Sequence, residues 1–256
     1  MTRAPMSPDS LDASSIRLVG FDRDDTLWRS EDYYRAAQGD FEEIVGRYVD
    51  LADARAHERL YAVEKRNLAL FGYGVKGMVL SMIEAAVEIT DARVSASDLH
   101  RIVALGKSLL QHPVELLPGI REAVEAIGAN HELVLITKGD LFHQEAKVKQ
   151  SGLADLFRRI EIVSEKDPET YARLFDEFEL APRQFAMVGN SLRSDIAPVI
   201  ALGGWGVYMP YHVTWAHEAE AEIAEDEPRV RRVEQASELP AAVTDIARAA
   251  ASLNGR

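Results

Sequence analysis

The sequence predicts an α/β protein in which a parallel sheet carries helices on both faces and an all-helical domain is inserted into the core. Short apolar runs alternate with helical patterns along most of the chain, which is typical of a covered parallel sheet. Several runs end in polar side chains, at the sheet edge where open α/β sheets bind ligands. In one long stretch after the first run, the apolar residues recur at helical spacing throughout, which indicates helices and no strands.

The predicted core is Rossmann-like and begins with a strand at Ile16–Phe21, whose sequence IRLVGF is apolar on both faces. Further strands are predicted at Leu133–Thr137, Ile160–Val163, Phe185–Gly189 and Trp205–Met209. Helices are predicted near Leu141–Gln150, Pro168–Phe178 and Ser194–Leu202, and Val230–Val243 adds a last strand and helix. Strands and helices therefore alternate from the second strand onward.

The stretch between Phe21 and Leu133 breaks this alternation, because its apolar residues indicate about four amphipathic helices. Pro118 and Gly119 mark the return to the core. We divide the chain into a flexible leader at 1–15, a core at 16–29 and 116–256, and a helical insert at 30–115. The leader is polar and lacks the apolar segment of a signal peptide.

Composition excludes several classes of function. The 256 residues include 29 lysines and arginines and 42 aspartates and glutamates, for a net charge of −13. Such a chain repels nucleic acid and anionic lipid, so neither is expected as a partner. Cysteine is absent, which excludes thiol catalysis and cysteine-ligated metals. No apolar run approaches the ~18 residues that span a bilayer, and we predict a cytoplasmic protein.

Three carboxylates follow the first predicted strand, at Asp22, Asp24 and Asp25. They repel one another unless cations or hydrogen bonds compensate their charge. A divalent cation with oxygen ligands, such as Mg²⁺, is the natural partner for them. The alternative is that Asp24 and Asp25 only cap a turn or a helix.

Polar groups end three further predicted strands at the same edge. Thr137 and Lys138 follow the second strand, Lys166 follows the third, and Asn190 and Asp195 follow the fourth. Taken alone, each of these residues can be explained as a helix cap, a turn residue or an exposed lysine. Four strand ends that all supply oxygen ligands, hydroxyls or cations predict a site for magnesium and phosphate.

These four segments resemble the motifs of the haloacid dehalogenase-like (HAD) hydrolase superfamily, in the same order along Ile16 to Met209. Asp22, Asp24 and Thr26 match its D-x-D-x-T motif, and the strand ending in Thr137 matches its second motif. The third match is Lys166, followed by DPETY where K-P-x-P is common, and the fourth is GNSLRSD. The insert resembles the small α-helical cap of the family.

The resemblance implies a mechanism for each matched residue. Asp22 is then the nucleophile, which forms an aspartyl-phosphate, and Asp24 is the acid and base for the leaving oxygen and the attacking water. Thr137, Lys138 and Lys166 then bind the phosphoryl group, and Lys166 offsets charge on the nucleophile. The implied Mg²⁺ ligands are Asp22, Asp24 through its backbone carbonyl, Asn190 and Asp195.

The sequence departs from the family pattern at Asn190, where phosphatases of the family usually have Asp. We therefore expect weaker magnesium binding, with Asp195 able to compensate directly or through water. Lys76, near the start of a helix in the insert, is a candidate contact for substrate charge; phosphonate-cleaving members use such a lysine as a Schiff-base amine.

The predicted function is magnesium-dependent hydrolysis of a small phosphorylated metabolite. Asp24 favours phosphate esters over dehalogenation, because a halide leaves without a proton. Phosphomutase, phosphonate and dehalogenase chemistry remain alternatives, as does a binding protein without turnover. A phospho-receiver domain is a further alternative, but it would place its acceptor aspartate on a middle strand and would lack the insert.

Overall fold

Among the residues that the computed structural model describes, which are 16–213, 218, 223–224 and 226–253, six parallel strands form one sheet in the order β3-β2-β1-β4-β5-β6. The predicted leader, 1–15, lies outside the described residues. The strands are β1 Leu18–Phe21, β2 Glu132–Lys138, β3 Arg159–Val163, β4 Phe185–Gly189, β5 Trp205–Tyr208 and β6 Val230–Arg232. The predicted parallel sheet is thereby confirmed.

Helices cover both faces of this sheet because side chains alternate along each buried strand. The core helices are α5 Ile120–Gly128, α6 Leu141–Ser151, α7 Pro168–Glu177, α8 Ala197–Ala201 and α9 Leu239–Leu253. In β1, Val19 and Phe21 pack on the side of α5 and α9, whereas Leu18 packs on the side of α7 and α8.

The insert is all-helical, as predicted, and has an apolar core of its own. Its helices are α1 Glu31–Val45, α2 Ala56–Phe71, α3 Val75–Ile89 and α4 Ala96–Gln111. Phe41, Leu60, Met82 and Ile102, one from each helix, are fully buried against one another. The division of the chain at residues 30 and 115 stays a prediction.

The two chain segments that join the core to the insert run side by side. The Arg29 amide donates to the Glu115 carbonyl at 3.0 Å, and the Leu117 amide donates to the Leu27 carbonyl at 2.9 Å. Trp28, between them, is fully buried. These bonds hold the start of the insert close to the end of β1.

The predicted helix over Ser194–Leu202 is divided in two. A π-helical turn spans Leu192–Ile196, and α8 follows it. Pro198 accounts for the break, because it has no amide hydrogen to donate to Ser194. The π-helical turn lies directly after β4, where it brings Asp195 back against the strand end.

None of the helices in the described part of the chain combines the length and apolarity needed to cross a bilayer.

Candidate active site

A buried lysine joins two carboxylates at the end of the central strands. Phe21 of β1 lies opposite Leu135 of β2 and Val188 of β4, so residues that follow these strands meet at one edge. Lys166 Nζ contacts Asp22 Oδ1 and lies 2.7 Å from Asp195 Oδ1. Burial opposes the charge of Lys166, but Asp195 and Asp22 outweigh it and raise the pKa of the ammonium.

Asp195 is held against the chain by its second oxygen. Its Oδ2 accepts a hydrogen bond from the Ser191 amide at 3.0 Å, and the side chain is 1% exposed. A Cβ on Gly189 would lie 2.2 Å from Asp195 Oδ2, so only glycine fits there. Since both oxygens are engaged by Lys166 and Ser191, Asp195 positions the lysine here. The direct metal contact predicted for Asp195 stays a prediction.

Three oxygen positions meet beside Asp22 and form what we call the oxygen group: Asp22 Oδ2, the Asp24 backbone carbonyl and the Asn190 amide group. The Asn190 amide atom at this position lies 3.2 Å from each of the other two oxygens. If that atom is nitrogen, it donates to both. If that atom is oxygen, it lies close to two other acceptor oxygens. Three acceptors at this spacing repel one another unless a cation binds between them.

The oxygen group fits a magnesium ion. Ligands about 2.1 Å from an octahedral cation lie about 3.0 Å from one another, close to the spacing seen here. Asp22, Asn190 and the Asp24 carbonyl would therefore hold the ion. Among the described residues no set of three or more carboxylate or histidine side chains is arranged to hold a metal. A magnesium site here would therefore need the amide and the backbone carbonyl as well as the Asp22 carboxylate.

The Asp24 side chain points away from the oxygen group and pairs with two cationic side chains, which the sequence did not predict. Its Oδ2 accepts from Arg23 at 2.7 Å, and its Oδ1 accepts from Trp28 Nε1 and Lys147 Nζ, each at 3.0 Å. Burial favours the neutral acid, but Arg23 and Lys147 outweigh it and hold the pKa of Asp24 well below its usual range. Only its backbone carbonyl lies in the oxygen group.

Of the two cationic partners of Asp24, only Arg23, its neighbour in the sequence, left a signal that could have been used. Arg23 is fully buried and stacks over the Trp28 ring at 5.4 Å. Lys147 lies in α6, more than one hundred residues further along the chain. An arginine inside the first motif was a signal in itself, because a buried charge needs a partner.

Asp25 has the capping role that the alternative interpretation gave it. Its backbone is left-handed, with φ of 62°, and its carboxylate accepts from the Ser30 and Glu31 amides at 2.9 and 3.0 Å. It therefore caps the start of α1. Burial and the neighbouring Asp24 raise the pKa of Asp25 to about 7, although the two amides oppose this.

Thr137 and Lys138 both line the same cavity, but their surroundings differ. Thr137 is buried at the end of β2, with its hydroxyl donating to the Lys138 carbonyl at 3.2 Å. Lys138 Nζ lies 3.0 Å from Glu165 and 2.7 Å from Glu218. Despite burial, Glu218, Tyr73 and Glu165 raise its pKa. Two carboxylates thus compensate the charge that we predicted would bind phosphate.

Lys76 lies at the rim and does not line the cavity. Its ammonium pairs with Asp140 at 2.9 Å and stays largely exposed. Asp140 also caps α6 through the His143 amide. The structure therefore brings together Asp22, Thr137, Lys138, Lys166, Asn190, Asp195 and the Asp24 backbone, and leaves Lys76 outside them.

The cavity lies between the sheet edge and the insert and has a volume of about 210 Å³. That is below the ~300–1,000 Å³ of pockets for drug-sized ligands, which favours a small metabolite. Asp22, Lys166 and Asn190 form its core side, and residues of α1, α2 and α3 form the other. Tyr73 connects the two sides, since its hydroxyl donates to Glu165 at 2.5 Å.

Comparison with known proteins agrees with this geometry. The family model for haloacid dehalogenase-like hydrolases matches residues 16–203, so the chain belongs to that family of hydrolases. No curated protein matches the chain. The chain is 56% identical to a haloacid dehalogenase-like family hydrolase from Xanthomonas campestris, with 93% of this chain and 95% of that one covered and a TM-score of 0.85.

More distant structures share the fold. A 2-haloacid dehalogenase from Pseudomonas syringae pv. Tomato is 20% identical, with 90% of this chain and 99% of that one covered and a TM-score of 0.59. The putative HAD-hydrolase YfnB from Bacillus subtilis, bound to magnesium, is 17% identical, with 90% and 99% covered and a TM-score of 0.63. The resemblance inferred from the four motifs is confirmed as membership of the family.

Proposed function

We propose that this chain is a magnesium-dependent phosphatase that hydrolyses a small phosphorylated metabolite through an aspartyl-phosphate on Asp22. One observation carries the proposal: the Asp22 carboxylate has one oxygen on Lys166 and the other in the oxygen group, at the floor of a cavity. A carboxylate so placed has an oxygen oriented for attack and a cation beside it.

The chemistry follows from these neighbours. An Asp22 oxygen attacks phosphorus as the bond to the ester oxygen breaks, and Lys166 and the Thr137 hydroxyl offset the charge on the phosphoryl oxygens. Magnesium, when bound, supplies positive charge between the anionic nucleophile and the anionic ester. A water then attacks phosphorus, which releases inorganic phosphate and restores the Asp22 carboxylate.

Asp24 is our candidate for the proton transfers of both steps. In this structure its carboxylate pairs with Arg23 and Lys147, so it has to leave those partners and take up a proton from solvent before it can donate that proton to the ester oxygen. Its position in the same cavity as Asp22 makes that change of partner a side-chain movement.

For Asp24→Asn we expect a loss that depends on the leaving group. An alkyl phosphate needs a proton on its departing oxygen, so the rate of alcohol release in the first turnover should fall about 10²–10⁴-fold. With p-nitrophenyl phosphate, whose phenolate departs without a proton, the first-turnover rate should fall much less. Single-turnover kinetics on both esters isolates this step from the later hydrolysis of the aspartyl-phosphate, which uses Asp24 as a base with either ester, and the exposed Asp176→Asn is the control. Equal losses on the two esters would remove Asp24 as the acid.

For Asn190→Asp we expect tighter magnesium binding. The new carboxylate would add a negative charge to the oxygen group without changing its size, so the magnesium concentration for half-maximal activity should fall about tenfold. The measurement is a magnesium titration of phosphate release, with the exposed Asn130→Asp as control. A variant that needs as much magnesium as the wild type would contradict the assignment of Asn190 as a ligand.

Asp24 is paired with Arg23 and Lys147, which favours one other reaction, the displacement of a halide. A halide leaves without a proton, so this reaction does not need Asp24 as an acid. The two functions are separated by incubating the protein with a phosphate-ester panel and, separately, with 2-chloropropionate. Phosphate release that requires magnesium supports the phosphatase. Chloride release, with no phosphate release from any ester, would replace it with a dehalogenase.

A further inference from the structure

The side of the cavity formed by the insert presents two carboxylates that have no partner. Glu31 begins α1 and Glu64 lies in α2, and both line the cavity while partly buried. In the described part of the chain neither carboxylate forms a hydrogen bond or an ion pair. Carboxylates in such a position have unused acceptor capacity directed at whatever enters the cavity.

A third acceptor lies beside them. Asn67 is 5% exposed and lines the cavity, and its amide nitrogen donates to Ser81 at 3.2 Å and to Glu84 at 2.6 Å. These bonds fix which way the amide faces. Its carbonyl oxygen accepts no hydrogen bond from the described residues. This oxygen is not among the fully buried polar atoms that lack a partner, so it stays accessible to a donor that enters the cavity.

No cation of the described residues lies close enough to Glu31 or Glu64 to favour its charged form, so both side chains lose part of their charge in the free protein and regain it when a cation enters the cavity. Burial, helped by repulsion from Asp25 and Glu64, raises the pKa of Glu31 to about 8, and burial raises that of Glu64 to about 7. Arg35 and His57 oppose these shifts at a distance without forming ion pairs. Among the described insert residues that line the cavity, none is a lysine, arginine or histidine.

We infer that the substrate is a phosphate ester whose alcohol carries a cationic amine, bound with its ammonium between Glu31, Glu64 and Asn67. This deepens the proposed function and rests on it. An ammonium supplies both hydrogen bonds and positive charge to these acceptors. A neutral polyol supplies only the hydrogen bonds. A carboxylate or second phosphate would bring no positive charge, and either glutamate in its ionised form would repel it.

The two ends of the cavity then differ in what they bind. Lys166 and the magnesium ligands receive the phosphoryl group on the core side, and the acidic side of the insert receives the amine. A zwitterionic ester therefore fits in one orientation, with phosphorus toward Asp22. The reversed orientation would place phosphate against Glu31 and Glu64.

The test compares esters that share a scaffold and differ in charge. kcat/KM is measured with magnesium for phosphoethanolamine, 2-hydroxyethyl phosphate and phosphoglycolate, and for glucosamine 6-phosphate against glucose 6-phosphate. We expect the amine of at least one scaffold to exceed its hydroxyl counterpart by about tenfold, the ratio that about 1.4 kcal/mol represents. Phosphoglycolate should be the poorest of its set.

The variants assign that preference to the two carboxylates. Glu64→Gln, and separately Glu31→Gln on the other helix, should lower the amine-to-hydroxyl ratio about tenfold, mainly through KM. Glu43→Gln, exposed on α1, is the matched control and should leave the ratio unchanged. Turnover with no preference for the amine, or a preference that both variants keep, would overturn the inference and leave the phosphatase standing. No phosphate release from any ester would remove both.

Discussion

Asp22→Asn should abolish phosphate release, with kcat falling at least about 10⁴-fold, the scale of loss when a covalent nucleophile is removed. The amide is a poor nucleophile, and it also removes a negative charge from the oxygen group. Both effects act on the chemical step. Single-turnover phosphate release at saturating magnesium is the measurement.

The fold should survive this change, which separates it from a general loss of structure. Lys166 keeps Asp195 as a partner at 2.7 Å, so no buried charge is left alone. The exposed Asp176→Asn serves as the matched control and should retain full activity. Residual turnover within about tenfold of wild type would mean that another group attacks phosphorus.

Lys166→Met should have the largest effect on stability. Lys166 is 4% exposed and lies between two buried carboxylates, so its removal leaves Asp22 and Asp195 facing each other without a cation. Breaking a buried ion pair in this way costs about 3–5 kcal/mol. Urea unfolding followed by circular dichroism measures the change in the free energy of unfolding.

Two further variants test whether the unpaired carboxylates cause the loss of stability in Lys166→Met. Lys149→Met removes an exposed lysine from α6 and should change the unfolding free energy by less than about 0.5 kcal/mol. Adding Asp195→Asn to Lys166→Met should recover part of the lost stability, because one of the two unpaired carboxylates becomes neutral. If Lys166→Met were as stable as wild type, the lysine could not be the cation that joins these carboxylates.

The fold was predictable because the composition of each buried strand indicates how it is packed. LVGF and FAMVG are apolar on both faces, which is typical of a covered parallel sheet, and the observed bounds of β1 and β4 lie within the predicted ones. The division of Ser194–Leu202 into a π-helical turn and α8 was not predicted. It depends on Pro198 and on the close approach of Asp195 to Gly189, which no periodicity records.

The site was predictable where one strand end supplies one group. Asp22, Thr137, Lys166 and Asn190 converge because parallel strands end at the same edge. Partners that other parts of the chain supply could not be predicted from the sequence. Lys147 reaches Asp24 from α6, and Glu218, which lies between β5 and β6 in the chain, reaches Lys138. Such pairings depend on tertiary packing, so Lys138 and Asp24 have surroundings that their motifs alone did not predict.

The account depends most on covalent transfer of a phosphoryl group to Asp22. We would mix the protein with magnesium and a ³²P-labelled ester that it turns over, quench in acid within one turnover, and map the labelled peptide. Reduction with borohydride converts an aspartyl-phosphate to homoserine. The account predicts label on the peptide that contains Asp22, homoserine at that position, and neither in Asp22→Asn. Phosphate release without label on Asp22, or label on another residue, would contradict it.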